Sequence, residues 1–183
     1  MLVIIPTILK EVETVLSQVE EEQLQELAVQ LQKAKRIFVI GEGRSGLMAK
    51  SFAMRLMHLG ATVFVVGETI TPSIAEGDLL VAISGSGTTK NVVWTAEKTH
   101  SLGCSVMAVT TNPESPLAMA ATQILHVPAA TKYRRENELK TIQPLGSLFD
   151  QCAHILFDTL CLLFSQLNEV DHTLAFGRHS NLE

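Results

Sequence analysis

The stretch Ile37-Phe38-Val39-Ile40-Gly41-Glu42-Gly43-Arg44-Ser45-Gly46 runs from apolar residues straight into a small-residue loop, and Leu79-Leu80-Val81-Ala82-Ile83-Ser84-Gly85-Ser86-Gly87-Thr88-Thr89 repeats that pattern later in the chain. Each loop follows a strand-like run and opens a helix-like one. Such a turn aims free backbone N–H groups and the positive end of a helix dipole at one point, where anions bind. Glycine allows close approach of the backbone, and Ser and Thr add hydroxyl donors. The two loops therefore read as two halves of one phosphate cradle.

Outward from these loops, the hydrophobic period switches repeatedly between strand and helix, which is the signature of a parallel sheet covered by helices. Strands are expected over Arg36–Ile40, Thr62–Val66, Leu79–Ser84, Ser105–Thr110 and Gln123–Val127. Helices are expected over Ser45–Leu59, Thr88–Leu102 and Ser115–Ala121, with a turn-rich connection from Gly67 to Asp78. An N-terminal helical region carries Val12, Val15 and Leu16, then Leu24, Leu27 and Leu31, with an interruption around Glu20 to Glu22. Pro144 is expected to start a final helix that runs apolar on nearly every side to Leu167. Right-handed crossovers then predict a single α/β domain, a doubly wound five-stranded parallel sheet with ligands beyond the carboxyl ends of its strands.

At 183 residues and 46% hydrophobic, the chain is long enough for one well-packed domain and short for two. A net charge of −5, with the clustered cations Lys132, Arg134 and Arg135 confined to one polar stretch, argues against a nucleic-acid partner. Cys104, Cys152 and Cys161 are odd in number, lie in apolar surroundings and lack metal-type spacing, so they read as buried thiols of a cytoplasmic protein. The opening Met1-Leu2-Val3-Ile4-Ile5-Pro6 is a short apolar run followed by acids, which predicts neither export nor a membrane partner.

Three further features invite chemistry. Asp150, His154 and Asp158 recur every four residues and form one polar stripe on the last helix, which reads as a satisfied polar edge rather than a metal site because no fourth ligand accompanies it. Pro128 to Gln143 is a long polar connection, either a lid or a surface excursion. Gly41-x-Gly43-x-x-Gly46, with Glu68 some twenty residues on, outlines a dinucleotide fingerprint. The hydroxyl-rich second loop and Ser45 inside the first suit a phosphate monoester better than a bridging pyrophosphate.

Gly41 to Leu47, the run Ala53-Met54-Arg55-Leu56-Met57-His58-Leu59-Gly60, Ser84 to Thr89, Gln143 to Asp150 and the tail Arg178 to Glu183 together resemble the sugar isomerase (SIS) domain family. The resemblance covers essentially the whole chain. It implies a flavodoxin-like fold, a homotetramer with active sites near subunit interfaces, and isomerisation of D-arabino-hex-3-ulose 6-phosphate to fructose 6-phosphate without cofactor or metal. By the same resemblance Ser45, Ser84, Ser86 and Thr89 hold the phosphate, with Thr88 beside them and the backbone N–H groups around Gly85 and Gly87. Asp150 stands where the family's basic carboxylate, usually Glu, is found. His58 and His179 become candidates for ring opening or proton traffic, and Glu68 for a second carboxylate.

Moving a ketone from C3 to C2 needs a base for the C2 proton, a group that stabilises the enediolate oxygen, and return of a proton at C3. A non-catalytic phosphosugar sensor would keep the cradle and lack the base. A nicotinamide-dependent reductase would instead use the glycine loop for its cofactor. Loops similar to these usually carry a small residue at the position of Glu42 and an acid at that of Thr88, so Glu42 is expected to occupy the place of the missing acid.

Overall fold

The computed structural model describes residues 3–136 and 138–182. Met1 and Leu2 of the opening apolar run, Asn137 in the long connection and Glu183 of the tail lie outside the described residues. Two N-terminal helices, α1 (Ile4–Leu16) and α2 (Glu21–Lys33), lead into β1 (Ile37–Gly41), α3 (Gly43–His58), β2 (Val63–Val65), β3 (Leu79–Ile83), α4 (Lys90–Ser101) and β4 (Ser105–Thr110). A short α5 (Pro116–Met119), β5 (Gln123–His126), the long α6 (Ser147–Leu167) and a short α7 (His172–Phe176) complete the chain.

The strands form one five-stranded parallel sheet in the order β2-β1-β3-β4-β5, the flavodoxin-like doubly wound arrangement. Successive strand residues point to opposite faces. Ile37, Val39, Leu79, Val81, Ile83, Met107, Val109 and Leu125 therefore join the core built with α1, α2, α3 and α6. Phe38, Ile40, Leu80, Ala82, Val106 and Ala108 face α4 and α5 on the other side. Burial on both faces is why these strands read as unbroken apolar runs.

α6 is long and apolar enough to cross a membrane by length and composition, but 56% of its apolar window is buried inside the fold. It packs along α2 and α3, with the rings of Phe157 and Phe52 stacked at 4.5 Å between centroids. It does not begin at Pro144. Leu145 adopts a left-handed conformation (φ 52°), and the helix opens at Ser147, whose N–H reaches the Pro144 carbonyl at 3.1 Å. α7 had no counterpart in the sequence reading. It is capped by the Asp171 carboxylate, which accepts the Leu174 N–H at 2.8 Å.

Candidate active site

In the β1–β3 pair Gly41 lies opposite Ile83, so the two Gly/Ser loops leave the sheet side by side at its carboxyl edge. Strand order reverses there, since β1 connects to β2 on one flank and β3 lies on the other. The first loop turns tightly because Gly41 and Gly46 touch backbone: a Cβ on Gly46 would lie 2.6 Å from the Gly41 carbonyl oxygen. In the second loop Gly87 has φ 67° and packs on Ser115, so a side chain there has neither the conformation nor the space.

The second loop is internally bonded through the residues expected to hold phosphate. The buried Ser84 hydroxyl shares a 2.8 Å hydrogen bond with Thr89 Oγ1 and accepts the Gly87 N–H at 3.1 Å. Ser86 Oγ and Thr88 Oγ1 lie 3.0 Å apart, and the Thr88 N–H reaches Ser86 Oγ at 3.3 Å. The Gly85 carbonyl is fixed from behind by the Thr111 N–H and hydroxyl, at 3.0 and 2.8 Å. α6 enters over this loop with Phe149, whose ring edge would lie 3.1 Å from a Cβ on Gly85.

The next residue of α6 is Asp150. Both its oxygens carry donors from the first loop: Ser45 Oγ donates to Oδ1 at 3.0 Å, and Arg44 Nε to Oδ2 at 3.1 Å. The residue is only 4% exposed. Burial pushes its carboxyl above the usual range, opposed by the hydrogen bonds from Ser45 and Arg44 and by the charge of Arg44. A buried carboxylate of raised basicity at the start of a helix is suited to taking a proton from carbon.

Most of the expected loop residues line one cleft of about 380 Å³, whereas Gly87 and Thr88 lie outside its lining. Ser45, Ser84, Gly85, Ser86, Thr89 and Asp150 are brought together in it. Its lining also includes Glu42, Arg44, Thr131, Lys132, Leu145 and Phe149. Thr131 is held by Glu138, which accepts its N–H at 2.8 Å and its hydroxyl at 2.6 Å. That pair sets Lys132 at the cleft. The far end of the same connection is tied to α1, where the Glu11 carboxylate accepts Thr141 Oγ1, the Ile142 N–H and Gln143 Nε2 at 2.6, 2.8 and 3.0 Å. Arg44 and Lys132 had no assigned role in the sequence reading. Arg44 did leave a signal, because a cation in the first turn of a helix opposes the dipole and needs an acid nearby.

The other expected residues lie elsewhere. His58 ends α3, about 20 Å from Ser45 at 1.5 Å per residue. It is buried, and its ring stacks on His179 at 5.2 Å between centroids. Burial, together with the charges of Arg55 and His179, pushes its imidazole below the usual value, so it is neutral at pH 7. The tail is docked there by Arg178, whose guanidinium lies on Gly60 and donates to the His58 carbonyl at 3.2 Å. Glu68 pairs loosely with Lys50 at 4.0 Å, outside the cleft lining. Glu42 reaches across to the first turn of α4 and accepts Asn91 Nδ2 at 2.8 Å. The polar stripe of α6 divides: Asp150 turns into the cleft, whereas His154 and Asp158 pair with each other at 3.7 Å. Among the described residues no three His, Cys, Asp or Glu side chains gather as a cation site.

Residues 30–155 match the model of the SIS domain family. A relative named 3-hexulose-6-phosphate isomerase from Bacillus subtilis is 43% identical over 176 residues, covering 96% of this chain and 95% of its own. A protein of the same name from Mycobacterium gastri is also 43% identical, covering 94% of this chain and 86% of its own. Among solved structures, one from Methanococcus jannaschii superposes with a TM-score of 0.84 at 30% identity, covering 97% of this chain and 98% of that one. That structure was described as inferring a molecular function of 3-hexulose-6-phosphate isomerase.

Proposed function

The chain belongs to the SIS domain family, and from that membership we propose that it is a 3-hexulose-6-phosphate isomerase, interconverting D-arabino-hex-3-ulose 6-phosphate and fructose 6-phosphate through a 2,3-enediolate. The observation that carries this reading is the meeting of both Gly/Ser loops with the buried carboxylate of Asp150 in one cleft. The hydroxyls of Ser45, Ser84, Ser86 and Thr89, with the backbone N–H groups around Gly85, receive the phosphate. Anchored there, the sugar extends toward α6, and Asp150 takes the proton from C2 and returns it at C3. Charge that develops on the enediolate oxygens faces the cations of Arg44 and Lys132. A sensor would need the cradle alone; a buried carboxylate held by Ser45 and Arg44 beside that cradle supports catalysis.

His58 and His179 serve the cleft of a neighbouring copy in this reading, because within one chain they lie at the opposite end of α3. Met54 and Met57, exposed on the same end of that helix at 50% and 41%, suit burial against such a neighbour. The assembly is a homotetramer. Three buried, unpaired thiols suit a reducing cytoplasm, with Cys152 and Cys161 pushed by burial up to about 12.

Incubation with fructose 6-phosphate in heavy water, followed by NMR, tests the reaction. Deuterium entering at C3 with appearance of the 3-ketose, both lost in Asp150→Asn, is the expected result. Exchange at C1 alone, or saturable binding without exchange, would refute the assignment.

A further inference from the structure

Ser45 stands between two acceptors. Its hydroxyl donates to Asp150 Oδ1 at 3.0 Å, and it lies in the loop that, under the function proposed above, receives the substrate phosphate. A serine hydroxyl has one proton to donate. It cannot serve Asp150 and a phosphate oxygen together, and the dianion is the stronger competitor because it carries more charge than a carboxylate that also keeps the Arg44 contact.

We propose that Ser45 is a positioning residue that couples phosphate binding to the basicity of Asp150: in the free protein its hydroxyl quiets the carboxylate, and on binding it turns to the phosphate and leaves Oδ1 bare to face the sugar. The inference rests on the phosphate reading of the two loops. The arrangement makes the base strongest only when substrate is seated. Arg44 remains on Oδ2 throughout and keeps the carboxylate aimed. The other charged groups around Asp150 are Glu42, at the N-cap position of α3, and Lys132 on the long connection, both lining the cleft. One turn further along α6, His154 is occupied with Asp158. None of these donates to Oδ1, so the hydroxyl of Ser45 is the contact through which occupancy of the cradle is felt there.

The test is a carbon-13 NMR titration of the Asp150 carboxyl in the full-length protein, without and with saturating inorganic sulfate, which keeps its charge across the titration. Saturation is followed on the amide signals of Ser84 to Thr89. In wild type, sulfate raises the midpoint of the Asp150 titration. Ser45→Ala starts from a higher midpoint in the free protein, and sulfate raises it by less than half as much, the remainder being plain repulsion by the dianion. Ser45→Cys, which keeps the volume with a weak donor, behaves as Ser45→Ala, and Ser45→Thr restores the wild-type response. An equal rise in wild type and in whichever of Ala or Cys variants folds overturns the coupling while leaving the cradle intact. Sulfate that moves none of the loop amides overturns the phosphate reading and the coupling with it.

Discussion

Replacing Gly87 by alanine separates two costs that the second loop imposes on its sequence. At φ 67° an L-residue is strained by about 1–2 kcal/mol, and the methyl also removes about 0.4–1 kcal/mol of chain freedom from the unfolded state, so the backbone effect is about 1 kcal/mol net. The added Cβ would also sit 2.0 Å from Ser115 Oγ and 2.3 Å from Ser115 Cβ. Ser115 caps α5 and cannot simply rotate away, because its own Cβ is one of the clashing atoms. Overpacking of this kind costs about 1–3 kcal/mol, which brings Gly87→Ala to a loss of about 2–4 kcal/mol. Gly43→Ala supplies the control: its φ of 57° carries the same strain, with nothing within 4 Å of the new Cβ, and it should lose only about 1 kcal/mol. Ser115→Gly removes both clashing atoms at a few tenths of a kcal/mol for the cap. Combined with Gly87→Ala, it should return the cost to nearly that of Gly43→Ala, a coupling of about 1–3 kcal/mol. Urea unfolding followed by far-ultraviolet circular dichroism, at one protein concentration, reads all four variants. A Gly87→Ala protein no less stable than Gly43→Ala, or no recovery in the double variant, would refute the packing argument.

Asp150→Asn should abolish turnover without lowering the urea midpoint, because burial outweighs the Ser45 and Arg44 bonds in disfavouring the charged group; a large fall in stability would contradict that balance. Mixed oligomers of Asp150→Asn and His58→Gln, each inactive alone, should recover activity when subunits are reshuffled, and no recovery would refute the placement of the histidines in a neighbour's cleft. Glu11→Gln should cost about 1 kcal/mol at neutral pH. Burial alone would raise the Glu11 carboxyl, but the bonds from Thr141, Ile142 and Gln143 hold it below the usual range. Its contribution is therefore present above the ordinary carboxylate pKa and lost as pH falls through the lowered one, so wild type and variant should converge in acid urea titrations.

The sheet was legible because its central strands β1, β3 and β4 are buried on both faces, and runs such as Leu79–Ile83 admit no helical period. The start of α6 and the whole of α7 were not, whereas the end of α6 at Leu167 was. Pro144 has the conformation for a first helical residue, but the left-handed Leu145 that follows delays the helix, and sequence does not announce a positive φ at leucine. α7 has five residues and buries none of them, so it leaves no hydrophobic period to read. The Gly/Ser loops were visible as chemistry because glycine and hydroxyl residues after a strand have few other uses. Asp150 was reached by resemblance alone, since carboxylates in first turns are common. The separation of His58 from Ser45 was available from counting along one uninterrupted helix. The stacking of His58 on His179 was not, because it depends on Arg178 docking the tail on Gly60.

The contact of Phe149 with Gly85 divides the cleft into a rigid floor and an adjustable rim. The floor is backbone, glycine and one aromatic ring with no room for an extra carbon, and it joins the phosphate loop mechanically to the residue beside Asp150. The rim is made of exposed side chains, Glu42 and Leu145, whose replacement disturbs no core packing. A lineage or an engineer seeking a different sugar phosphate can rewrite the rim one residue at a time while anchoring and proton transfer stay in register. Changes at the floor are all-or-nothing, so diversity among descendants of this scaffold should accumulate around the mouth of the cleft.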